Sequence, residues 1–199
     1  MKHWKVEMVL YASWTHGNSI VVEVPRAYQP SENGLDAGVN VVDIGAGASI
    51  SCSRLGWATR FDVHQSRQGD GPVSGNLWCH VAVPTPVVVG GTRAQADTVM
   101  VNWESSNALS LFVAAVHVWD GNRRIFVDGR PSAGDFTGGV IARSTDPTVV
   151  PNLNLMYRGN LNRKPVYLGV SVSLRIRASD ARHEFLEVRS IGVDFDVPS

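Results

Sequence analysis

Three short stretches bring an indole and an imidazole within two positions of each other. They are Trp14 and His16 in "SWTHGN" (13–18), Trp78 and His80 in "LWCH" (77–80), and His117 and Trp119 in "HVWDG" (117–121). Residues i and i+2 of a β-strand point to the same face, so each pair would set its two rings side by side. Six Trp and six His in 199 residues give a chance expectation of about 0.4 such pairs. Two chemistries would use them. Indole faces stack on the apolar faces of a small molecule or a sugar. On that reading Trp14, Trp78 and Trp119, with Asp120 beside the last, are the ligand-binding residues. Alternatively, His16, His80 and His117 converge on one divalent transition metal, and three imidazoles leave a coordination position open, as in a catalytic zinc or iron site. The third reading is packing, with the indoles filling a core or an edge and the imidazoles hydrogen-bonded to their neighbours.

The elements that must position these residues read as strands. Gly (19 residues), Pro (10) and Asn punctuate short runs rich in Val, Ile and aromatics, and helical periodicity is scarce, which is an all-β signature. The expected strands are 5–14, 19–24, 39–44, 48–53, 57–64, 77–83, 86–90, 97–104, 109–119, 123–128, 166–177 and 184–197. The clearest is "VYLGVSVSLRIR" at 166–177. Val166, Leu168, Val170, Val172, Leu174 and Ile176 share one face, and the polar residues between them share the other. It should pair antiparallel with 184–197 through "ASDARHE". In that last strand Leu186 and Val188 are even-numbered, but Ile191, Val193, Phe195 and Val197 are odd. A β-bulge between 188 and 192 would restore the phase. Asp120-Gly121-Asn122 is a hairpin turn. "PTP" at 84–86 breaks a strand, and 66–76, 127–139 and 141–165 read as loops. About a dozen short strands without a repeat or linker predict one domain over 1–199. Its expected fold is all-β, an antiparallel β-sandwich of jelly-roll type, with a closed β-barrel as the alternative.

Other motifs carry less. "VNVVDIGAGASI" (39–50) has the strand, acid and Gly-x-Gly of a nucleotide-binding turn, but more strand follows it where that cradle needs a helix. No G-x-S-x-G, H-E-x-x-H or C-x-x-C is present. Asp194 and Asp196 are expected to form cross-strand ion pairs with Arg175 and Arg177 rather than a catalytic dyad.

Eighteen basic residues balance 18 acidic ones, so charge gives no reason to expect nucleic acid or an anionic membrane surface as a partner. Zero net charge removes self-repulsion and favours a homo-oligomer. No apolar run has the length of a membrane span, and no signal peptide is read at the start, which predicts a cytoplasmic protein. Cys52 and Cys79, the only cysteines, are then expected as reduced, buried thiols, although they could pair.

The order of the motifs resembles an uncharacterised family of small bacterial all-β proteins of unknown function. "WTHG" (14–17) with "VVEVP" (21–25), "GWATRFDV" (56–63), "WCHVAVPTP" (78–86), "VHVWDG" (116–121) and "IGVDF" (191–195) carry that resemblance. It spans about 14–195, with 26–52 and 141–165 fitting less well. It implies no reaction and so no catalytic residue. The expected role is a non-enzymatic binding or self-assembly module for a small-molecule or carbohydrate ligand. The alternative is a metal-dependent, His-ligated small-molecule enzyme.

Overall fold

A computed structural model describes residues 8–23, 39–45, 48–65, 73–128 and 153–198. They form β1 (Met8–His16), β2 (Val21–Val22), β3 (Val39–Gly45), β4 (Ala48–Arg54), β5 (Thr59–Gln65), β6 (Val73–Ala82) and β7 (Val88–Val89). There follow β8 (Thr92–Arg93), β9 (Gln95–Ser105), β10 (Leu111–Asp120), β11 (Arg123–Asp128), β12 (Leu153–Pro165), β13 (Val170–Ala181) and β14 (Phe185–Pro198). Among the described residues the one helical element is a 3-10 turn at Gly17–Ser19, and no helix is long and apolar enough to cross a membrane.

Among the described residues the strands build an antiparallel sandwich and no closed barrel. One sheet has seven strands in the order β12-β9-β14-β5-β4-β3, with β1 also paired to β14. The other has five, β11-β10-β13-β6-β2, and β7 and β8 form a small separate ribbon. Alternation fills the space between the sheets. Leu77, Cys79, Val81, Val116, Val118, Val172, Leu174 and Ile176 from the five-stranded sheet meet Phe61, Val63, Trp103, Leu186, Ile191, Val193 and Phe195 from the other in one buried cluster. Cys52 and Cys79 are both buried free thiols within it. Burial pushes the Cys52 thiol up to about 11, and burial, with Cys52 nearby, raises Cys79 further. Neither thiol is ionised near neutral pH.

The expected bulge is present. Along β9, Val188 faces Trp103 and Ser190 faces Asn102, so Arg189 is the extra residue. Even-numbered residues point inward before it and odd-numbered ones after it. The expected hairpin of 166–177 with 184–197 does not form. β13 lies between β10 and β6 in one sheet, and β14 lies in the other. The connection at 182–184 crosses from sheet to sheet, so both apolar faces meet across the core instead of lying side by side. β13 also starts at Val170, and Leu168 is 73 % exposed. A further strand, β12, runs where a loop was expected. Its Tyr157, Gly159 and Leu161 point inward while Arg158 and Asn160 point out. Its Asn, Gly and Lys residues lower β propensity, and pairing with β9 overrides that.

Asp194 and Asp196 do not meet Arg175 and Arg177, because the two sets sit in different sheets. Asp196 pairs instead with Arg163 at 2.7 Å. Burial, with Asp97 and Asp196 nearby and Arg158 opposing, raises the Asp194 carboxyl above its usual range. The 39–50 stretch is a β3–β4 hairpin with strand on both sides, so no helix follows its Gly-x-Gly; residues 46–47 and most of the loops read at 66–76 and 127–139 lie outside the described residues.

Trp14 faces away from the core. Its indole lies flat on Gly192, where a Cβ would sit 2.6–2.8 Å from three indole carbons. Gly192→Ala should therefore push the indole off the sheet and cost about 1–3 kcal/mol. Gly56→Ala, with open space around it, should stay within about 0.5 kcal/mol. Urea unfolding of the two variants checks this, and the Trp emission of the first should shift to the red.

Candidate functional site

The outer face of the five-stranded sheet carries two of the three indole–imidazole pairs. The ladder fixes how they meet. His117 of β10 faces Ser173 of β13, and Ser173 faces His80 of β6. One row across three strands is thus His117, Ser173, His80. Trp78 lies one step along β6, opposite Arg175. Trp119 lies one step along β10, opposite Ser171. The imidazole of His117 is 4.8 Å from the Trp78 ring and 6.4 Å from the Trp119 ring. The two indoles are therefore within about 11 Å of each other, joined through one ring. Arg175 lies 5.8 Å over Trp78, and Arg124 lies 5.6 Å over Trp119, both within cation–π reach.

His80 connects this row to the sheet edge. Its Nδ1 is 2.8 Å from Ser173 Oγ, and its Nε2 is 3.3 Å from Glu23 Oε2. With the carboxylate accepting from Nε2–H, Nδ1 is left to accept the Ser173 hydroxyl. Serine, imidazole and carboxylate are then ordered as nucleophile, base and orienter are in hydrolases. The setting differs. Ser173 is only 2 % exposed and sits mid-strand between two paired neighbours, where backbone N–H groups serve the ladder and not an oxyanion. The hydroxyl is a fixed rung of the face. Glu23, Ser173, Arg124 and Arg175 were not legible as site residues, because their partners are set by strand order. The one available signal was that Ser171, Ser173 and Arg175 alternate with the apolar face of β13.

The remaining candidates go elsewhere. Trp14 and His16 lie on β1, in phase with Gly192 and Ser190 of β14 and opposite to Ile191 and Val193. They face outward from the seven-stranded sheet, on the far side of the sandwich from His80 and His117. Stacked sheets alone are about 10 Å apart, so His16, His80 and His117 do not share a metal. Among the described residues no three His, Cys, Asp or Glu side chains are grouped to hold one. The metal reading of these three histidines is thereby corrected.

Asp120 is also reassigned. Its carboxylate accepts from the backbone N–H of Tyr167 (3.0 Å), Leu168 (2.7 Å) and Gly169 (3.2 Å), and from Arg123 at 3.1 Å. Burial alone would raise its pKa, but these donors outweigh it and hold the carboxyl below the usual range. It ties the β10–β11 turn to the entry of β13 and has no capacity left for a ligand. Asp120→Ala leaves three backbone donors without that acceptor and should cost about 1–3 kcal/mol. A urea midpoint equal to that of the unaltered chain would refute this role.

Burial lowers the pKa of His117 below 6.5, helped by the guanidinium groups of Arg124 and Arg175. The imidazole between the two indoles is neutral at neutral pH. As pH falls the unfolded chain takes up this proton first, so the contribution to stability is full above 6.5 and declines below it. Comparing urea midpoints at about pH 7 and about pH 5 tests this. His117→Phe keeps a ring and should flatten the acid-side loss. An equal loss in both proteins would place the titration elsewhere.

The chain matches no protein-family profile, no curated protein and no solved structure.

Proposed function

We propose that this chain is a non-enzymatic binding and assembly module. Its ligand face is the outer side of the five-stranded sheet, and its ligand is a saccharide. The observation that supports this is the ring line Trp78, His117, Trp119. Two indoles at that separation suit a disaccharide, whose apolar faces stack on them. Around the rings, Ser171, His80 and Glu23 mix donors and acceptors, which suits hydroxyl groups better than a single charge. The floor is preset by the bond from Ser173 to His80, so little ordering is needed on binding. We place the module in a reducing compartment such as the cytoplasm, consistent with two buried free thiols. We also propose that it works as a homo-oligomer.

Titrating cello-, malto- and chito-oligosaccharides while following Trp emission tests the ligand reading. One series should give a saturating change. Trp78→Ala and Trp119→Ala should each weaken it by roughly fivefold to thirtyfold, taking stacking as about 1–2 kcal/mol. Trp57→Ala should not, because Trp57 is exposed in the turn before β5, in the other sheet. Saturation that survives loss of both indoles, or no response to any series, would sink the saccharide face.

A further inference from the structure

An edge strand offers unpaired backbone donors and acceptors to any other strand, and proteins commonly block it with charge, proline or a bulge. Most edges of this sandwich are blocked in that way. β12 carries Arg158, Arg163 and Lys164 and has a register shift at 160–164. β11 carries Arg123, Arg124 and Asp128. β3 carries Asp43 and shifts register before Gly45. β2 has two residues. β1 is different. It is nine residues long, runs in unbroken register against β14, and has no strand on its other side among the described residues. Its sequence "MVLYASWTH" contains no Lys, Arg, Asp, Glu or Pro. It also holds Leu10 at 59 % exposure, Trp14 at 42 % and Tyr11 at 39 %.

We infer that β1 is the surface on which a second copy of this chain docks, by antiparallel pairing of β1 with β1 about a two-fold axis through Ala12. The inference rests on the assembly part of the function proposed above and names its partner and geometry. A two-fold interface must be self-complementary, and this strand is so in one register. Centring the axis on Ala12, its midpoint, pairs all nine residues. Leu10 then lies opposite the partner's Trp14, and Trp14 opposite the partner's Leu10. Both residues face outward on the same side as Gly192 and Asp196. On the other side Tyr11 lies opposite the partner's Ser13. Exposed apolar side chains thus cover each other twice, and only this register both pairs all nine residues and sets Leu10 against Trp14. Charge does not oppose the pairing. The nearest acids of this face, Asp194 and Asp196, sit one strand back, opposite Ala12 and Leu10. The two Asp194 residues would be three strand spacings apart, about 14 Å, beyond the screening length of about 8–10 Å. The paired edge is about 30 Å long and one strand wide. That is a small interface, and it belongs with dimers that form in the micromolar range.

Light scattering behind a sizing column, across the micromolar range, reads the outcome on the full chain. The mass should rise with concentration from 21.6 kDa to twice that value. Ala12→Glu puts like charges directly opposite each other at the axis, each beside Asp194, and should weaken the dimer several-fold or abolish it. Mixing the Ala12→Glu protein with the Ala12→Lys protein should restore a dimer containing one copy of each. Leu10→Lys, beside Asp196 on an exposed position, is a second disrupting variant, and circular dichroism verifies that every variant is folded. An unaltered chain that stays monomeric overturns both the assembly reading and this inference. A dimer that persists in folded Ala12→Glu and Leu10→Lys proteins overturns the β1 interface and leaves assembly standing. If Ala12→Glu is monomeric and mixing restores nothing, the axis through Ala12 is wrong.

Discussion

The sandwich depends on one strand changing phase without leaving its sheet. β14 pairs with β9 along one side for nearly its whole length. On its other side it pairs with β5 over Phe185–Val188 and with β1 over Ser190–Pro198. Arg189 is the single residue between those partners, and it is also the bulge. Without the extra residue, either Leu186 and Val188 or Ile191, Val193 and Phe195 would point into water. The 3-10 turn fits the same junction. The Gly17 backbone approaches Val188 so closely that a Cβ would meet its carbonyl oxygen at 1.8 Å. Thr59 Oγ1 donates to Gly17 O at 2.6 Å, which joins the start of β5 to the end of β1. The Arg189 side chain pairs with Glu104 and approaches Glu187, so the bulged residue keeps its charge on the outer face.

The opposite sheet shows what regular alternation provides. β13 lies between β10 and β6, so its Ser173 bonds His80 of one neighbour and sits in register with His117 of the other. The inner residues of these strands are apolar and interchangeable in kind. The outer ones hold the rings, the hydroxyl and the guanidinium groups. Burial and cations keep the His117 imidazole neutral, and that neutrality lets a ring lie between two indoles without adding a third cation beside Arg124 and Arg175.

Much of this was legible in the chain, and the limits have physical causes. The phase change from Val188 to Ile191 pointed to the bulge because core burial enforces period-two alternation. The Asp-Gly-Asn turn was readable because Gly121 adopts a positive φ of 60°, and "PTP" was readable because proline cannot serve a ladder. Partnership was not readable. Alternation says which face of 166–177 is buried but not which sheet it enters, so the sequence points to a hairpin with 184–197 that the two sheets do not form. The same gap separated Trp14 and His16 from the other two pairs. They have the right spacing on a strand that lies across the core. β12 is not legible in the sequence, because Asn and Gly make a poor isolated strand and β9 supplies the pairing that compensates.

The carboxylate of Asp120 has an effect beyond the turn it closes. Three backbone donors at 167–169 converge on it, and the Leu168 side chain packs over Gly121, where a Cβ would meet Leu168 Cδ1 at 2.5 Å. Leu168 and Tyr167 are nonetheless exposed, and Arg93 and Arg123 lie over the Tyr167 ring. The chain thus holds a large apolar side chain and an aromatic ring out to solvent on a backbone that has already lost its freedom. A surface that meets this corner gains their contact area with almost no entropy of ordering to offset it.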